Sequence, residues 1–187
     1  GGVIATIYDT DSAEQIRNIV DNSDAKLLVV ETKDMMKKTD LAKEDCPTLK
    51  DVMCLENGAL DELKAYGSSI SDEKLDERIR SVKKTDLCSI VYTSGSTAAP
   101  KGVEMTQAHY CSTATNLPDY MPDLLHNKRN RVLLFLPQAH SFARAINYIC
   151  VASDIHIYIA RGIKTLTADL KVARPHIMIV VPRVLEK

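Results

Sequence analysis

The sequence has almost no net charge and no long hydrophobic run. Its 24 basic and 25 acidic residues give a formal net charge of -1. No global electrostatic field therefore attracts nucleic acid or an acidic membrane. No apolar run approaches the roughly 20 residues that a transmembrane helix needs. We therefore expect no nucleic-acid partner and no membrane span.

The cysteines lack the spacing of a disulfide framework or of a zinc site. There are five of them, they are scattered and they include no CxxC pair. An odd, scattered set does not indicate paired or metal-bound thiols. We expect reduced thiols that behave mostly as small buried hydrophobic residues.

An initiator methionine and a signal peptide are also absent, because the chain opens on GGVIATIY. That opening is itself a predicted strand, so we expect that residues upstream have been removed. The 187 residues are enough for one large domain or part of a bigger one. A hydrophobic content of 45% and a charged content of 26% exclude a disordered chain.

Apolar runs alternate with amphipathic segments along the whole chain. Strands are predicted at 3–8, 25–31, 49–56, 87–95, 102–106, 131–137, 155–160 and 177–182, and helices at 11–23, from 107 onward, at 141–153 and at 165–173. Ser12 and Ser71 are predicted helix N-caps. The mixed charges of residues 32–45 indicate a solvated helix or loop. This alternation predicts an α/β fold with a layered, largely parallel sheet. The polar segment 68–86 is the best candidate for a connector between sub-structures 1–84 and 85–187.

The segment VYTSGSTAAPKGV, residues 91–103, places hydroxyls, glycines and one lysine directly after a predicted strand. It is not a Walker A motif, because Pro100 and Gly102 stand where that motif needs glycine and a hydroxyl residue. It also lacks the GxGxxG spacing of a dinucleotide-binding turn. The residues alone leave two alternatives open. One is an anion site built from hydroxyls, backbone N–H groups and Lys101, and the other is a Ser/Thr-rich surface turn.

The order of residues in this segment resembles the signature loop of the AMP-forming adenylating enzymes, Tyr-Thr-Ser-Gly-(Ser/Thr)-Thr-Gly-x-Pro-Lys-Gly-Val. Every defined position matches except Ala98, which replaces a glycine. Three further stretches resemble the long-chain fatty acyl-CoA synthetase branch in family order: IYDTDSAEQIRNIVDNSDAKLLVVE, FLPQAHSFARA and RPHIMIVVPRVLEK. The resemblance implies that residues 1–187 are a partial N-terminal AMP-binding domain and that a C-terminal lid domain is absent.

The same resemblance implies an ATP-dependent long-chain fatty acid–CoA ligase of the AMP-forming type. Such an enzyme makes an acyl-adenylate and then an acyl-CoA, with release of pyrophosphate and AMP. Its small-molecule partners would be a long-chain fatty acid, ATP, Mg²⁺ and coenzyme A. It would be cytoplasmic, with peripheral membrane contact as an open alternative. The family's adenine-binding and ribose-binding segments, its hinge and its C-terminal lysine have no match here, so the isolated chain is expected to be inactive.

Two alternatives to this function stay open at the level of sequence. An adenylating enzyme can pass its acyl group to a carrier protein instead of coenzyme A. A non-catalytic nucleotide- or lipid-binding relative is conceivable because of Ala98, whose methyl group costs on the order of 1 kcal/mol if the position needs a positive φ.

The family motifs also assign roles to individual residues. By resemblance, six loop residues hold the β- and γ-phosphates of ATP: Thr93, Ser94, Gly95, Ser96, Thr97 and Lys101. Thr93 also helps to place Mg²⁺, and His140 matches the family histidine near the substrate carboxylate and the α-phosphate. Arg144 matches a motif residue, with an ion-pair role as the alternative. Pro182 and Arg183 are expected to be structural.

Overall fold

A computed structural model describes residues 1–93, 100–127 and 129–180, in which strands and helices alternate as predicted. The strands are β1 (Ile4–Thr6), β2 (Leu27–Val30), β3 (Asp51–Cys54), β4 (Leu87–Thr93), β5 (Lys101–Thr106), β6 (Arg131–Leu134) and β7 (His156–Ile159). The helices are α1 (Ala13–Asn22), α2 (Lys33–Lys37), α3 (Asp40–Asp45), α4 (Ala59–Gly67), α5 (Asp72–Ser81), α6 (Gln107–Tyr120), α7 (Pro122–Leu125), α8 (Ser141–Ala152) and α9 (Leu166–Ala173). Two 3-10 turns, Leu55–Asn57 and Ile163–Thr165, complete the order. The chain divides into two compact units, Gly1–Gln107 and Ala108–Lys187.

The first unit contains two small sheets. One has the strand order β1-β4-β5 and the other pairs β2 with β3. The β1–β4 and β2–β3 pairs are parallel, whereas β4 and β5 form an antiparallel hairpin. The prediction of a largely parallel α/β architecture is confirmed, and the β4–β5 hairpin is its antiparallel element.

Helix α1 begins at the predicted cap and packs its apolar face inward. The Ser12 hydroxyl accepts a hydrogen bond from the Gln15 N–H at 3.3 Å, and the Gln15 side chain accepts one from the Ser12 N–H at 2.8 Å. This reciprocal pair is a capping box, which satisfies two N–H groups at the helix start. Ile16 and Val20 then join one buried cluster with Ala42 and Cys46.

The charged segment 32–45 is helical, which is one of its two predicted alternatives. It forms α2 and α3, and α3 packs against α1. Ala42 is fully buried, and so is Thr39, whose hydroxyl donates to the Met36 carbonyl at 2.7 Å. The prediction of a solvated helix or loop is therefore confirmed in its helical form, except at Thr39 and Ala42, which are buried.

The second predicted cap is also confirmed. The Ser71 hydroxyl accepts from the Lys74 N–H at 3.4 Å at the start of α5, a helix that buries none of its residues. Its exposed charges form an i,i+4 pair between Asp76 and Arg80 at 3.6 Å, which contributes little to stability at the surface.

The second unit is built around β6 and α8. β6 pairs in parallel with β7. The core cluster joins residues of α6, α7, β6 and α8 with two further isoleucines: Ala114, Leu125, Val132, Leu134, Ile146, Ile149, Cys150, Ile155 and Ile177. None of the described helices is long and apolar enough to cross a membrane.

The last predicted strand, 177–182, does not form over the residues that are described. Only Ile177 makes a bridge, a parallel one to Val132. The N–H groups of His176 and Ile177 both donate to the Arg131 carbonyl, at 2.9 and 3.1 Å. Residues 181 and 182 lie outside the described part.

Candidate functional site

The described ends of the VYTSGSTAAPKGV segment lie opposite each other on two paired strands. β4 ends at Thr93, β5 begins at Lys101, and the antiparallel register places these two residues as direct partners. Side chains at such positions start about 5 Å apart on one face of the sheet. Both residues are exposed. The hairpin therefore presents one hydroxyl and one ammonium group side by side at the end next to residues 94–100.

The other predicted phosphate-binding residues lie outside the described part of the chain. These are Ser94, Gly95, Ser96 and Thr97, together with Ala98, Pro182 and Arg183. Their assigned roles stay predictions.

A buried tyrosine fixes the end of the hairpin. Tyr92 is only 6% exposed, and its hydroxyl donates to the Asn22 side-chain oxygen at 2.8 Å, which ties β4 to the end of α1. Burial raises the pKa of the Tyr92 phenol above its ordinary value of 10.0. The ring therefore stays neutral and keeps its donor. Thr93 follows this anchor directly, so its backbone starts from a fixed point.

Gly102 faces Tyr92 across the hairpin and leaves no space for a side chain. A Cβ atom at this position would lie 2.8 Å from the Ile90 Cγ2 and 3.2 Å from two ring carbons of Tyr92. Such distances are well inside ordinary carbon–carbon contact. The glycine after Lys101 thus leaves room for the Tyr92 ring beside β5.

Sequence reasoning missed Tyr92, Asn22 and Gly102 as supports of the site. Gly102 carried a signal, since it is a defined position of the motif. The Tyr92–Asn22 bond joins residues 70 positions apart. No local pattern could have indicated that contact.

His140 lies in the second unit, where it is the N-cap of α8. Its Nδ1 accepts a hydrogen bond from the Phe142 N–H at 3.2 Å. An imidazole nitrogen that accepts carries no proton, so the neutral ring holds its proton on Nε2. The side chain is exposed. His140 can therefore offer a fixed Nε2–H donor to a ligand while its other nitrogen stays tied to the helix.

Arg144 lies one turn further along α8 and is only 7% exposed. Its guanidinium carbon is 5.7 Å from the centre of the Tyr110 ring, and Tyr110 packs against Tyr148 with ring centroids 4.8 Å apart. A guanidinium over an aromatic face gains a cation–π attraction. This buried setting favours a packing role for Arg144 beneath the start of α8.

The described donors suit a phosphate better than a metal ion alone. Thr93 and Lys101 supply a hydroxyl and a positive charge, which are groups that bind phosphate oxygens. Among the residues that the structure describes, no group of three His, Cys, Asp or Glu side chains could hold a metal ion. Mg²⁺ on nucleotides usually takes most of its ligands from phosphate oxygens and water.

Two curated relatives match the whole length of the chain. The long-chain-fatty-acid–CoA ligase FadD15 of Mycobacterium bovis is 35% identical over 190 residues, which is 100% of this chain and 32% of that protein. The long-chain-fatty-acid–CoA ligase ACSBG2 of Xenopus laevis is 29% identical over 205 residues, which is 100% of this chain and 27% of that protein. The chain thus spans between about a quarter and a third of the length of these relatives.

A solved structure and a family model complete the comparison. The inhibitor-bound N-terminal domain of FACL13 from Mycobacterium tuberculosis superimposes with a TM-score of 0.70 at 22% identity, over 98% of this chain and 44% of that one. That likeness shows a shared fold. The family model described as AMP-binding enzyme matches residues 1–187, and the chain therefore belongs to the AMP-binding enzyme family.

Proposed function

We propose that these 187 residues are part of an ATP-dependent, AMP-forming ligase that activates long-chain fatty acids to acyl-CoA. The observation that carries the proposal is the 35% identity to a long-chain-fatty-acid–CoA ligase along the whole chain. A second observation supports it: Thr93 pairs with Lys101 at the end of the β4–β5 hairpin next to residues 94–100. The intact protein would add the rest of the nucleotide site and a C-terminal lid domain, and it would act in the cytoplasm or at a membrane surface.

The hairpin would bind the β- and γ-phosphates of ATP. Lys101 contributes a charge-assisted hydrogen bond, which is stronger than a neutral one. Thr93 contributes its hydroxyl to a phosphate oxygen or to the accompanying Mg²⁺. Ser94, Gly95, Ser96 and Thr97 would complete the set of donors. Bound Mg²⁺ would supply charge neutralisation at the phosphates.

His140 would act at the reacting end of the substrates. Its Nε2–H, fixed by the Phe142 bond to Nδ1, is a donor for the fatty carboxylate or for an α-phosphate oxygen. Donors that are already oriented stabilise charge that develops in the transition state without a cost of reorganisation. The role of His140 is therefore to orient and stabilise, and it needs no proton transfer.

The chemistry has two steps that share one mixed anhydride. A carboxylate oxygen of the fatty acid attacks the α-phosphorus, and the bond from that phosphorus to pyrophosphate breaks. The thiol of coenzyme A then attacks the acyl carbon, loses its proton and expels AMP. Donors at the hairpin stabilise the leaving pyrophosphate in the first step. The second step needs parts of the protein beyond these residues.

Product analysis of the intact protein tests this proposal. Palmitate, ATP, Mg²⁺ and coenzyme A are incubated with it, and palmitoyl-CoA, AMP and pyrophosphate are measured by mass spectrometry. We expect all three in equal amounts. AMP release that depends on palmitate but leaves coenzyme A unmodified would point to another acyl acceptor. An absence of palmitate-dependent AMP would overturn the enzyme assignment.

A further inference from the structure

His140 is held by three hydrogen bonds to the chain around it. Its N–H donates to the Pro137 carbonyl at 3.0 Å, and its carbonyl accepts from the Arg144 N–H at 3.2 Å. Its Nδ1 accepts from the Phe142 N–H at 3.2 Å. Two of these three bonds come from the first turn of α8, so the direction of the Nε2–H of His140 follows the position of that turn.

The first turn of a helix is weakly constrained by the helix itself. Its N–H groups have no partners within the helix, and helix ends fray. Arg144 is the last residue of the first turn of α8, and Tyr148 follows it by four residues. Because residues four apart lie on one face of a helix, both side chains can contact the same residue of a neighbouring helix.

That residue is Tyr110 of α6. The guanidinium carbon of Arg144 lies 5.7 Å from the centre of the Tyr110 ring, and the centroid of the Tyr148 ring lies 4.8 Å from it. Arg144 and Tyr110 are both buried. A cation–π attraction is stronger where water is excluded. This contact therefore anchors α8 to α6 at the end of the first turn of α8.

The Tyr110 ring is itself held by the core. The buried face of α6 consists of Tyr110, Ala114 and Pro118, which follow one another at intervals of four residues. Ala114 belongs to the core cluster that also contains Ile146 and Ile149 of α8. The ring therefore gives Arg144 a fixed surface to bind.

We propose that Arg144 is a positioning residue for His140. Its guanidinium binds the Tyr110 ring and holds the first turn of α8, and this turn directs the Nε2–H of His140 towards the fatty carboxylate or the α-phosphate. Arginine suits this role because its planar guanidinium stays charged and stacks on aromatic faces, for which lysine is no equivalent. The proposal rests on the proposed function, in which His140 acts on these substrates.

Palmitate-dependent pyrophosphate exchange by the intact protein tests whether the anchor affects the reaction. Arg144→Met keeps a long unbranched side chain but removes the charge, and we expect kcat to fall by about 10- to 100-fold. KM for ATP should change little, because the loss of an interaction made in the transition state lowers kcat and kcat/KM together. Arg144→Lys keeps the charge and should retain part of kcat. A fall in kcat/KM that comes only from a higher KM would contradict the proposal.

Variants of Tyr110 separate the role of its ring from that of its hydroxyl. The hydroxyl is buried and has no hydrogen-bond partner among the residues that the structure describes. Tyr110→Phe keeps the ring and should keep kcat, whereas Tyr110→Leu should lower kcat as Arg144→Met does. The double variant should be no worse than either single one, because both changes remove the same contact. Equal losses in Tyr110→Phe and Tyr110→Leu would overturn the proposal.

Amide hydrogen exchange in the same intact variants detects the anchor without turnover. In Arg144→Met and Tyr110→Leu we expect faster exchange at the amides of residues 142 and 144 and unchanged exchange in the second half of α8. Tyr120→Leu, at the 82% exposed end of α6, is the matched control and should change neither. Unchanged exchange at residues 142 and 144 would overturn the proposal, and so would faster exchange along the whole of α8. Because exchange needs no substrate, a wild type that makes no acyl-adenylate would refute the proposed function and leave this test of the anchor intact.

Discussion

Gly102→Ala tests how the hairpin is held. The new methyl would lie 2.8 Å from the Ile90 Cγ2 and 3.2 Å from the Tyr92 ring. The ring cannot turn away freely, because its hydroxyl is bonded to Asn22. Overpacking of this kind costs about 1–3 kcal/mol. Replacement of a strand glycine returns about 0.5–1 kcal/mol. With the middle of each range, the net loss in the free energy of unfolding is about 1 kcal/mol.

Urea unfolding measures this loss, and Gly67→Ala is the matched control. Gly67 is the last residue of α4, and apart from its chain neighbours and the backbone of its own helix no atom lies within 4 Å of a Cβ built there. Alanine at that helical position should be neutral or stabilising by up to about 1 kcal/mol. With a slope of about 2 kcal/mol per M urea, Gly102→Ala should lower the midpoint by about 0.5 M. A midpoint equal to that of the wild type, in a variant that keeps the activity attributed to Thr93 and Lys101, would refute the steric argument.

Three further perturbations test other parts of the structure. Tyr92→Phe should lower the free energy of unfolding by about 1 kcal/mol near neutral pH, because the hydrogen bond to Asn22 is lost. Burial raises the pKa of Tyr92 above 10.0, so the difference in stability between wild type and variant should shrink above pH 10. A difference in unfolding scans that does not depend on pH would contradict this. Hydrogen bonds from Arg161 lower the pKa of Asp169 below 3.8. The contribution of Asp169 to stability is therefore complete above pH 3.8 and is lost as the pH falls through the pKa of the folded state. Asp169→Asn should make stability depend less on pH at the acid end of the profile, and an unchanged acid dependence would contradict the assignment. The 187-residue chain alone should form no acyl-CoA in the product assay, and turnover by it would show that the nucleotide site is complete within these residues.

The elements of the fold could be predicted because their signals are local. Periodic apolar positions predict α1 and α8, and the caps at Ser12 and Ser71 form as their sequence indicates. The strand predicted at 177–182 does not form over residues 177–180, apart from the bridge between Ile177 and Val132. Apolar composition alone does not determine whether a run pairs with a neighbouring strand.

The candidate site could be predicted only in part. The motifs indicated Thr93, Lys101 and His140 as candidate site residues. Thr93 and Lys101 pair at one end of the β4–β5 hairpin, and His140 is the N-cap of α8. The supports of the hairpin depend on contacts between distant parts of the chain, which a sequence pattern does not reveal. The division into sub-structures 1–84 and 85–187 stays a prediction.

The central claim is that the β4–β5 hairpin holds the phosphates of ATP. Fatty-acid-dependent exchange of pyrophosphate into ATP, measured on the intact protein with palmitate, tests it most directly. Loss of a preorganised charged donor predicts a fall in kcat/KM of roughly 100-fold or more for Lys101→Ala. Lys84→Ala, three residues before the start of β4, should leave the rate unchanged. Equal rates for the two variants would contradict the account.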